Sequence, residues 1–429
     1  MNMNNQLLNA RKKTNIWIFN HYAITPQYPG GTRHFELGKN LVHRGHQVVI
    51  FAANFIHMNF CSVKLARQLR YKIERFGHLH FTWLKTPAYR KNNWKRFLNM
   101  LVYCWSAYRV SRRLVNAKEI EPPGIIIGST VHPFAALTAS SLARKFNVPF
   151  VFEIRDLWPQ SFLDIGIWKK FSWKSWLFKA IEKRTVANAK KIITLSPRTS
   201  SYLQENYHYA PGDIYYIPNG VYVESLKKAS PVNETLKSLE NIKKKRNFIV
   251  LFSGSLISTN KLETIIDAAE QLRDNQGIKV VLIGKGQEEE RYRELIKNKN
   301  PGNIFILAPV QKEYVPYLLQ YADVLILNQG NVQWGSSNKL YDYLASGKPI
   351  ISSVHAKHND IVSDIGGGMS VTPENPQALV RAILQLQRMS PQEREQMGQR
   401  NVNYVKTYHD WEMLSERLAD LVNQLQDIE

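Results

Sequence analysis

The sequence predicts an α/β protein of two doubly wound, Rossmann-like domains facing across a cleft. Three observations carry that expectation. Apolar, β-rich runs alternate with helical patterns through the first 225 residues, the alternation restarts after a polar linker, and glycine turns stand where strands give way to helices. Alternating βα units build a parallel sheet covered on both faces, whose strands read as continuous apolar runs. Gly124-Ile-Ile-Ile-Gly128 is such a run.

In the first half, strands are expected at Asn15–Phe19, Gln47–Ala52, His80–Leu84, Ile125–Ile127, Pro149–Glu153, Lys191–Leu195 and Ile214–Ile217, with a helix over Phe35–Val42. Lys227–Asn247, with its charge run Lys243–Arg246, reads as a solvated loop. Strands resume at Phe248–Ser253, Lys279–Ile283, Ile304–Leu307, Ala322–Leu327 and Pro349–Ser352. After Asn375 the pattern is helical to the end. Leu414, Leu418, Leu421 and Leu425 fall three or four apart and form one apolar stripe that needs a surface to pack on. The expected domains are residues 1–225, joined by a returning helix over 409–429, and residues 226–408. Ligands of open α/β sheets bind beyond the C-terminal strand ends, so two such edges suit a pair of substrates.

Of the 429 residues, 44% are hydrophobic, enough for a full core in each half. Two cysteines, Cys61 and Cys104, are too few for a disulfide framework and suit a reducing cytosol. Residues 1–14 lack the apolar run of a secretion signal, and no stretch approaches the ~20 apolar residues of a spanning helix. The net charge of +22 is unevenly placed: residues 1–225 hold 32 Lys and Arg against 11 Asp and Glu, and the remainder 25 against 24. Such asymmetry gives the first half an anionic partner.

Four motifs carry chemistry. Gly30 and Gly31, in Tyr28-Pro-Gly-Gly-Thr-Arg33, precede a helix whose first N–H groups suit an anion. Phe252-Ser-Gly-Ser-Leu256, with Gly254 and Ser255, ends a strand ahead of Lys261; Ile283-Gly-Lys-Gly-Gln287, with Gly284 and Gly286, occupies the same topological place. The most specific is Ser336-Ser-Asn-Lys-Leu-Tyr-Asp-Tyr-Leu-Ala-Ser-Gly-Lys-Pro-Ile-Ile351, a capped helix ending in glycine before an apolar strand. There Asn338 and nearby N–H groups can face a phosphate, Lys339 adds a charge, and Asp342, one turn further, can accept two hydrogen bonds from a ribose diol.

That last string resembles the signature of retaining nucleotide-sugar glycosyltransferases of family 4, which have the GT-B fold. The glycine pair near the start, Pro218-Asn-Gly220, Gly284-Lys-Gly286 and Ala322-Asp323-Val324 match as well. Asn20-His-Tyr-Ala23 with Gly30-Gly-Thr-Arg-His34, and Arg155-Asp-Leu-Trp-Pro159, resemble a bacterial subgroup that builds surface polysaccharides and O-antigens and includes proteins similar to fucosamine transferases. The resemblance spans nearly the whole chain. It implies a hexosyl transfer from a nucleotide sugar, UDP by default, to a polyprenyl-diphosphate-linked or saccharide acceptor. Gly30, Gly31, Gly254, Ser255, Lys261, Gly284, Gly286, Asn338, Lys339, Leu340 and Asp342 are the implied donor contacts. It also implies retention by a front-face route, in which donor phosphate helps deprotonate the acceptor, with no metal or other cofactor. His132 stands in the loop where family members carry a histidine against the donor sugar. Asp156 follows the fifth strand and can accept a proton from the acceptor hydroxyl; His21 is a third candidate. The chain departs from the family at four places. The first of the usual two glutamates falls at Trp334, the second is the shorter Asp342, and the usual Arg and Lys positions read Ser255 and Asn260.

Two stretches of the first half join Trp and Phe to Lys and Arg, Asn93–Leu114 and Trp168–Lys191. Apolar rings on one face with cations on the other describe an interfacial helix, and each cation near an anionic leaflet adds about 1 kcal/mol. The expected location is therefore cytoplasmic, peripheral at the inner face of the plasma membrane. Two rivals remain: a nucleotide-sugar epimerase or hydrolase of the same architecture, and a basic nucleic-acid-binding protein. The second is disfavoured because no recognition module is visible, so nucleic acid is not an expected partner.

Overall fold

The computed structural model describes residues 13–426 apart from 29, 58–59, 67, 91–92, 165, 224–232, 331–337 and 356–359. Trp334, Ser336 and Ser337 therefore lie outside the described residues. Contacts divide the chain into two compact units, residues 13–218 with 411–426, and the described part of 219–410.

The first unit is built on β1 (Asn15–Phe19), β2 (Gln47–Ala53), a short hairpin of β3 (Phe55–Ile56) and β4 (Cys61–Ser62), β5 (Tyr71–Phe76), β6 (Leu79–Leu84), β7 (Ile125–Ser129), β8 (Phe150–Ile154), β9 (Lys191–Thr194) and β10 (Ile214–Tyr216). Eight of these form one sheet in the order β10-β9-β8-β7-β1-β2-β6-β5. All neighbours are parallel except β5, which runs antiparallel to β6 at the edge. The order reverses between β1 and β7. The helices are α1 (Arg33–His43), α2 (Trp94–Asn116), α3 (Pro133–Phe146), α4 (Gln160–Asp164), α5 (Trp173–Asn188) and α6 (Pro197–Tyr207). Small residues let α3 lie close on the sheet: Ala135, Ala136 and Ala139 are fully buried, and a Cβ on Gly128 of β7 would stand 2.7 Å from that of Ala139.

The second unit has α7 (Glu234–Lys244), β11 (Phe248–Ser253), α8 (Glu263–Gln271), β12 (Ile278–Ile283), α9 (Glu289–Lys299), β13 (Ile304–Leu307), α10 (Val315–Gln320), β14 (Val324–Asn328), α11 (Asn338–Ala345), β15 (Ile350–Ser353), α12 (Ile361–Asp364), β16 (Gly368–Ser370), α13 (Pro376–Arg388) and α14 (Pro391–Tyr408). Its all-parallel sheet runs β13-β12-β11-β14-β15-β16, the 3-2-1-4-5-6 order of a dinucleotide-binding fold, with the switch between β11 and β14. Ser390 and Glu393 close a reciprocal cap at the start of α14.

The final helix, α15 (Trp411–Gln426), returns to the first unit and packs on α1. Its stripe of Leu414, Leu418, Leu421 and Leu425 is at most 2% exposed.

One local reading is corrected. Lys227–Asn247 is not a solvated loop throughout, because Glu234–Lys244 is helical. Asn233 caps that helix by accepting from the Thr235 N–H at 2.8 Å, and Leu236 and Leu239 are buried. Its charge run is anchored: Lys243 Nζ donates to both oxygens of Asp323 at 2.7 Å, and Asp323 accepts from the Ile249 N–H. The edge strand β5 was also unforeseen. Its charged positions Lys72, Glu74 and Arg75 mask its pattern, as is usual for protected sheet edges.

Candidate functional site

The C-terminal edge of the second sheet gathers polar groups around its switch point. Asn328 ends β14 and is 1% exposed; its amide donates to the carbonyls of Asn260 and Lys261 at 2.7 and 2.8 Å. Asn260 in turn donates to the Ser255 carbonyl at 2.6 Å and accepts from Lys339 Nζ at 2.9 Å. Lys339 reaches back from α11 until its ammonium stands 4.6 Å from the centre of the Phe252 ring. Burial lowers its pKa to about 8. Gly254 makes room for this arm, since a Cβ there would stand 2.7 Å from Lys339 Cδ. Lys261 adopts the left-handed conformation, and its Nζ lies 3.3 Å from Glu374. Gly254, Ser255, Lys261 and Lys339 are thus brought to one place.

Gly284 and Gly286 serve that loop from the side. A Cβ on Gly284 would lie 1.9 Å from the Gly254 carbonyl oxygen, and one on Gly286 would lie 2.2 Å from that of Leu256. The Leu256 N–H donates to the Lys285 carbonyl at 3.1 Å, so these glycines let two strand-end loops pack. Asn338 is exposed at the start of α11, and Leu340 is half-buried. Asp342 lies along the same helix beside Val221, Tyr222, Val315 and Leu319. Burial raises its pKa to about 6, against the opposing charge of Lys312.

Gly30 and Gly31 belong to the first unit, ahead of α1. The residues that follow them turn inward. Arg33 Nε donates to Glu153 at 2.8 Å, and its two terminal nitrogens donate to the carbonyls of Pro218 and Ile217 at 2.5 and 2.7 Å. His34 Nε2 donates to the second oxygen of Glu153 at 2.6 Å, and its Nδ1 accepts from Asn20 at 3.0 Å. That pattern fixes His34 as neutral, in accord with burial lowering its pKa. Burial opposes ionisation of Glu153, yet its cationic surroundings, Arg33 among them, hold it well below the usual carboxylate range.

His132 precedes α3 and is fully buried; its Nε2 lies 2.7 Å from Nδ1 of His21, which follows β1. These two residues mark the switch between β1 and β7. Burial, aided by Arg96, lowers the His132 pKa to about 3. Tyr22, Tyr89, His57 and Arg96 surround the pair: Arg96 Nε donates to Tyr22 Oη at 3.3 Å, and Tyr89 Oη meets His57 Nδ1 at 2.9 Å. Asp156 follows β8 with its side chain exposed, while its carbonyl accepts from Thr130 Oγ1 at 3.4 Å.

An aromatic belt runs past the His132 loop. Phe134, at the start of α3, meets Phe97 of α2 at 5.8 Å and Phe178 of α5 at 5.4 Å, and Phe178 meets Trp158 and Trp168. From it project Trp94, Phe97, Trp105, Phe171, Trp173 and Trp176, all between 48% and 94% exposed. Cations stand over several of these rings, with Arg109 on Trp105 at 4.9 Å. No helix among the described residues is long and apolar enough to cross a membrane. The described residues hold no cluster of three or more metal-ligating side chains.

Sequence reasoning missed Glu153, Asn260, Asn328 and Arg96. Glu153 had a visible signal, a carboxylate inside the buried run Phe150-Val-Phe-Glu-Ile154. The asparagines had none, because their partners are set by tertiary approach.

Two Rossmann-like halves, each an open sheet with loops at its strand ends, are the architecture of the GT-B fold. Residues 30–220 match the family described as Glycosyl transferase 4-like domain, and residues 233–404 match Glycosyl transferases group 1. The chain is therefore a glycosyltransferase with the GT-B fold. Among its relatives, the uncharacterised glycosyltransferase MJ1069 of Methanocaldococcus jannaschii is 24% identical over 250 residues, 56% of this chain and 62% of that relative. WcaI of Escherichia coli K12, provisionally assigned as a colanic acid biosynthesis glycosyl transferase, is 22% identical across 82% of this chain and 86% of its own. Sucrose-phosphate synthase from Thermosynechococcus elongatus superposes with a TM-score of 0.75 at 18% identity, covering 97% of this chain and 100% of the other. Anabaena Alr3699/HepE in complex with UDP and glucose gives 0.65 at 13% identity, covering 96% and 100%.

Proposed function

We propose that the protein transfers a sugar, with retention and without a metal, from a UDP-sugar to a lipid-linked or polysaccharide acceptor in cell-surface polysaccharide synthesis. The observation that carries this reading is Lys339, a cation held by Asn260 and Phe252 over the Gly254 loop at the sheet's switch point. A diphosphate leaving group needs positive charge and N–H donors already in place, and this loop offers both. Lys261 supplies a second cation, and Asp342 the ribose contact. His132 and Asp156 serve the sugar and the acceptor hydroxyl from the first unit. The UDP bound to HepE and the colanic acid assignment of WcaI support the donor and the pathway class. The belt from Trp94 to Trp176 holds the enzyme on the anionic inner face of the plasma membrane, where a polyprenyl-diphosphate-linked acceptor lies.

A thermal-shift panel of nucleotide sugars in EDTA tests the donor reading. A specific UDP-sugar should raise the melting temperature, because a ligand selective for the folded state stabilises it. The Asp342→Ala variant should lose that shift; an undiminished shift removes Asp342 from the site.

A further inference from the structure

The first turn of α2 carries charge that works against the helix. Asn93 caps it by accepting from the Lys95 N–H at 3.0 Å, and Trp94, Lys95 and Arg96 follow with no acidic residue in that turn. Cations at a helix start oppose its macrodipole, so their placement calls for another reason. Arg96 reaches toward the switch between β1 and β7. Its Nε donates to Tyr22 Oη at 3.3 Å, and its guanidinium carbon stands 6.0 Å from the centre of the Tyr22 ring. Tyr22 Oη lies 3.3 Å from Tyr89 Oη, and the Tyr22 ring stacks on His57 at 5.3 Å and meets His21 at 4.4 Å.

The imidazoles around Arg96 carry no charge at neutral pH. Burial, with Arg96 as a further cause, lowers the pKa of His57 to about 4 and those of His21 and His132 as well. The remaining charges do not balance. The guanidiniums of Arg33, Arg96 and Arg155 act on two carboxylates, Glu153 and Asp156, so one positive charge is in excess among these groups before the exposed Lys95 is counted. Nε2 of His21 and Nδ1 of His132 are buried with no hydrogen-bond partner among the described residues, and buried polar atoms left unpaired call for a partner.

The same stretch of α2 is apolar on its outer side. Trp94, Phe97, Leu98 and Leu101 are between 40% and 67% exposed, and Phe97 joins them to Phe134, two residues after His132. A cationic, polar cluster beside exposed apolar side chains suits an amphiphile with a phosphate head. Open α/β sheets place their substrates at the switch point, so the occupant is a substrate lipid and not the bulk membrane.

We propose that Arg96, helped by Lys95 and Tyr22, binds the phosphate of the acceptor lipid, whose apolar chain runs along Trp94, Phe97, Leu98 and Leu101. This rests on the lipid-linked acceptor of the proposed function, and the two fail in different measurements.

Isothermal titration of the full chain in saturating UDP tests the site, with farnesyl diphosphate, inorganic pyrophosphate and farnesol as probes. The wild type should bind farnesyl diphosphate more tightly than either fragment. Arg96→Met should weaken it by about 10- to 100-fold while UDP affinity stays within about twofold. Arg96→Lys, which keeps the charge without the planar fork, should regain part of the loss. Lys95→Glu, at an exposed position, should weaken both phosphate probes. Trp94→Gln with Phe97→Gln should weaken farnesyl diphosphate and leave pyrophosphate unchanged. Unchanged binding in Arg96→Met and Lys95→Glu, or farnesol bound as tightly as its diphosphate, overturns the proposal. Flotation with phosphatidylglycerol vesicles separates the two sources of phosphate. Arg96→Met should float as the wild type does; a parallel loss of flotation would assign the site to bulk lipid and overturn the proposal. A wild type that glycosylates a lipid-linked acceptor, yet binds farnesyl diphosphate no better than Arg96→Met, overturns this site alone. Transfer to lipid-free saccharides only would remove the lipid-linked acceptor itself.

Discussion

Replacing Lys339 with Met should make the protein more stable and a poorer binder of UDP. The ammonium is buried, which lowers its pKa from 10.5 to about 8. The folded state thus favours the neutral amine, and below pH 8 the charged form costs about 3 kcal/mol of stability. That penalty fades as pH rises from about 8 toward the unfolded value. Met keeps the stem against Phe252 and carries no charge, but it leaves Asn260 Oδ1 without its 2.9 Å donor, a loss of about 1 kcal/mol. The net gain is about 2 kcal/mol at pH 7, or roughly 4–8 °C in Tm for a unit of this size. UDP loses one charge-assisted hydrogen bond of ~1.5–3 kcal/mol, so its Kd should rise by about 10- to 100-fold. Differential scanning calorimetry of the apoprotein and isothermal titration with UDP measure the two effects on the same samples. A UDP affinity within about twofold of wild type would place Lys339 outside the anion site. A lower Tm would show that its charge is not held at a cost.

Glu153→Gln leaves Arg33 charged in a site where both side chains are 2% exposed; removing one partner of a buried pair costs ~3–5 kcal/mol, readable as a loss of unfolding free energy in urea. Burial raises the Asp342 pKa to about 6, and under the proposed ribose contact the carboxylate is the form that accepts two hydroxyls. UDP affinity should therefore fall as pH drops through 6, with Asp342→Asn weak at every pH. The raised folded pKa also means that Asp342 costs stability above pH 6, so Asp342→Asn should melt higher at pH 8; an unchanged melting temperature would refute this. Replacing Trp94, Trp173 and Trp176 with Gln should lower flotation with anionic vesicles at low salt while UDP binding stays within about twofold. Equal flotation would show that the exposed belt does not dock on lipid.

The fold was largely legible because parallel strands buried on both faces, such as Phe248–Ser253 and Ile278–Ile283, read as unbroken apolar runs. The returning helix was legible for a similar reason, since the stripe Leu414 to Leu425 requires a partner surface. Elements that mix charge with burial were not. Strand β5 alternates Lys72 and Glu74 with half-buried positions, and α7 hides Leu236 and Leu239 among lysines. Glycine spacing located the strand-end loops of the second unit but did not distinguish their tasks. Gly254 clears the path of Lys339, whereas Gly284 clears a neighbouring backbone. The buried network escaped because it is long-range: Arg33 and Glu153 are 120 residues apart, and His21 and His132 are 111 apart. No local pattern encodes such pairs.

The most direct test of the central claim is release of UDP from the donor selected by the thermal-shift panel, in EDTA, with and without polyprenyl-diphosphate-linked sugar in anionic vesicles. The account predicts release that depends on the acceptor and yields one glycosylated lipid with the donor's anomeric configuration retained. Release at full rate without acceptor, or isomerisation of the donor alone, would contradict it.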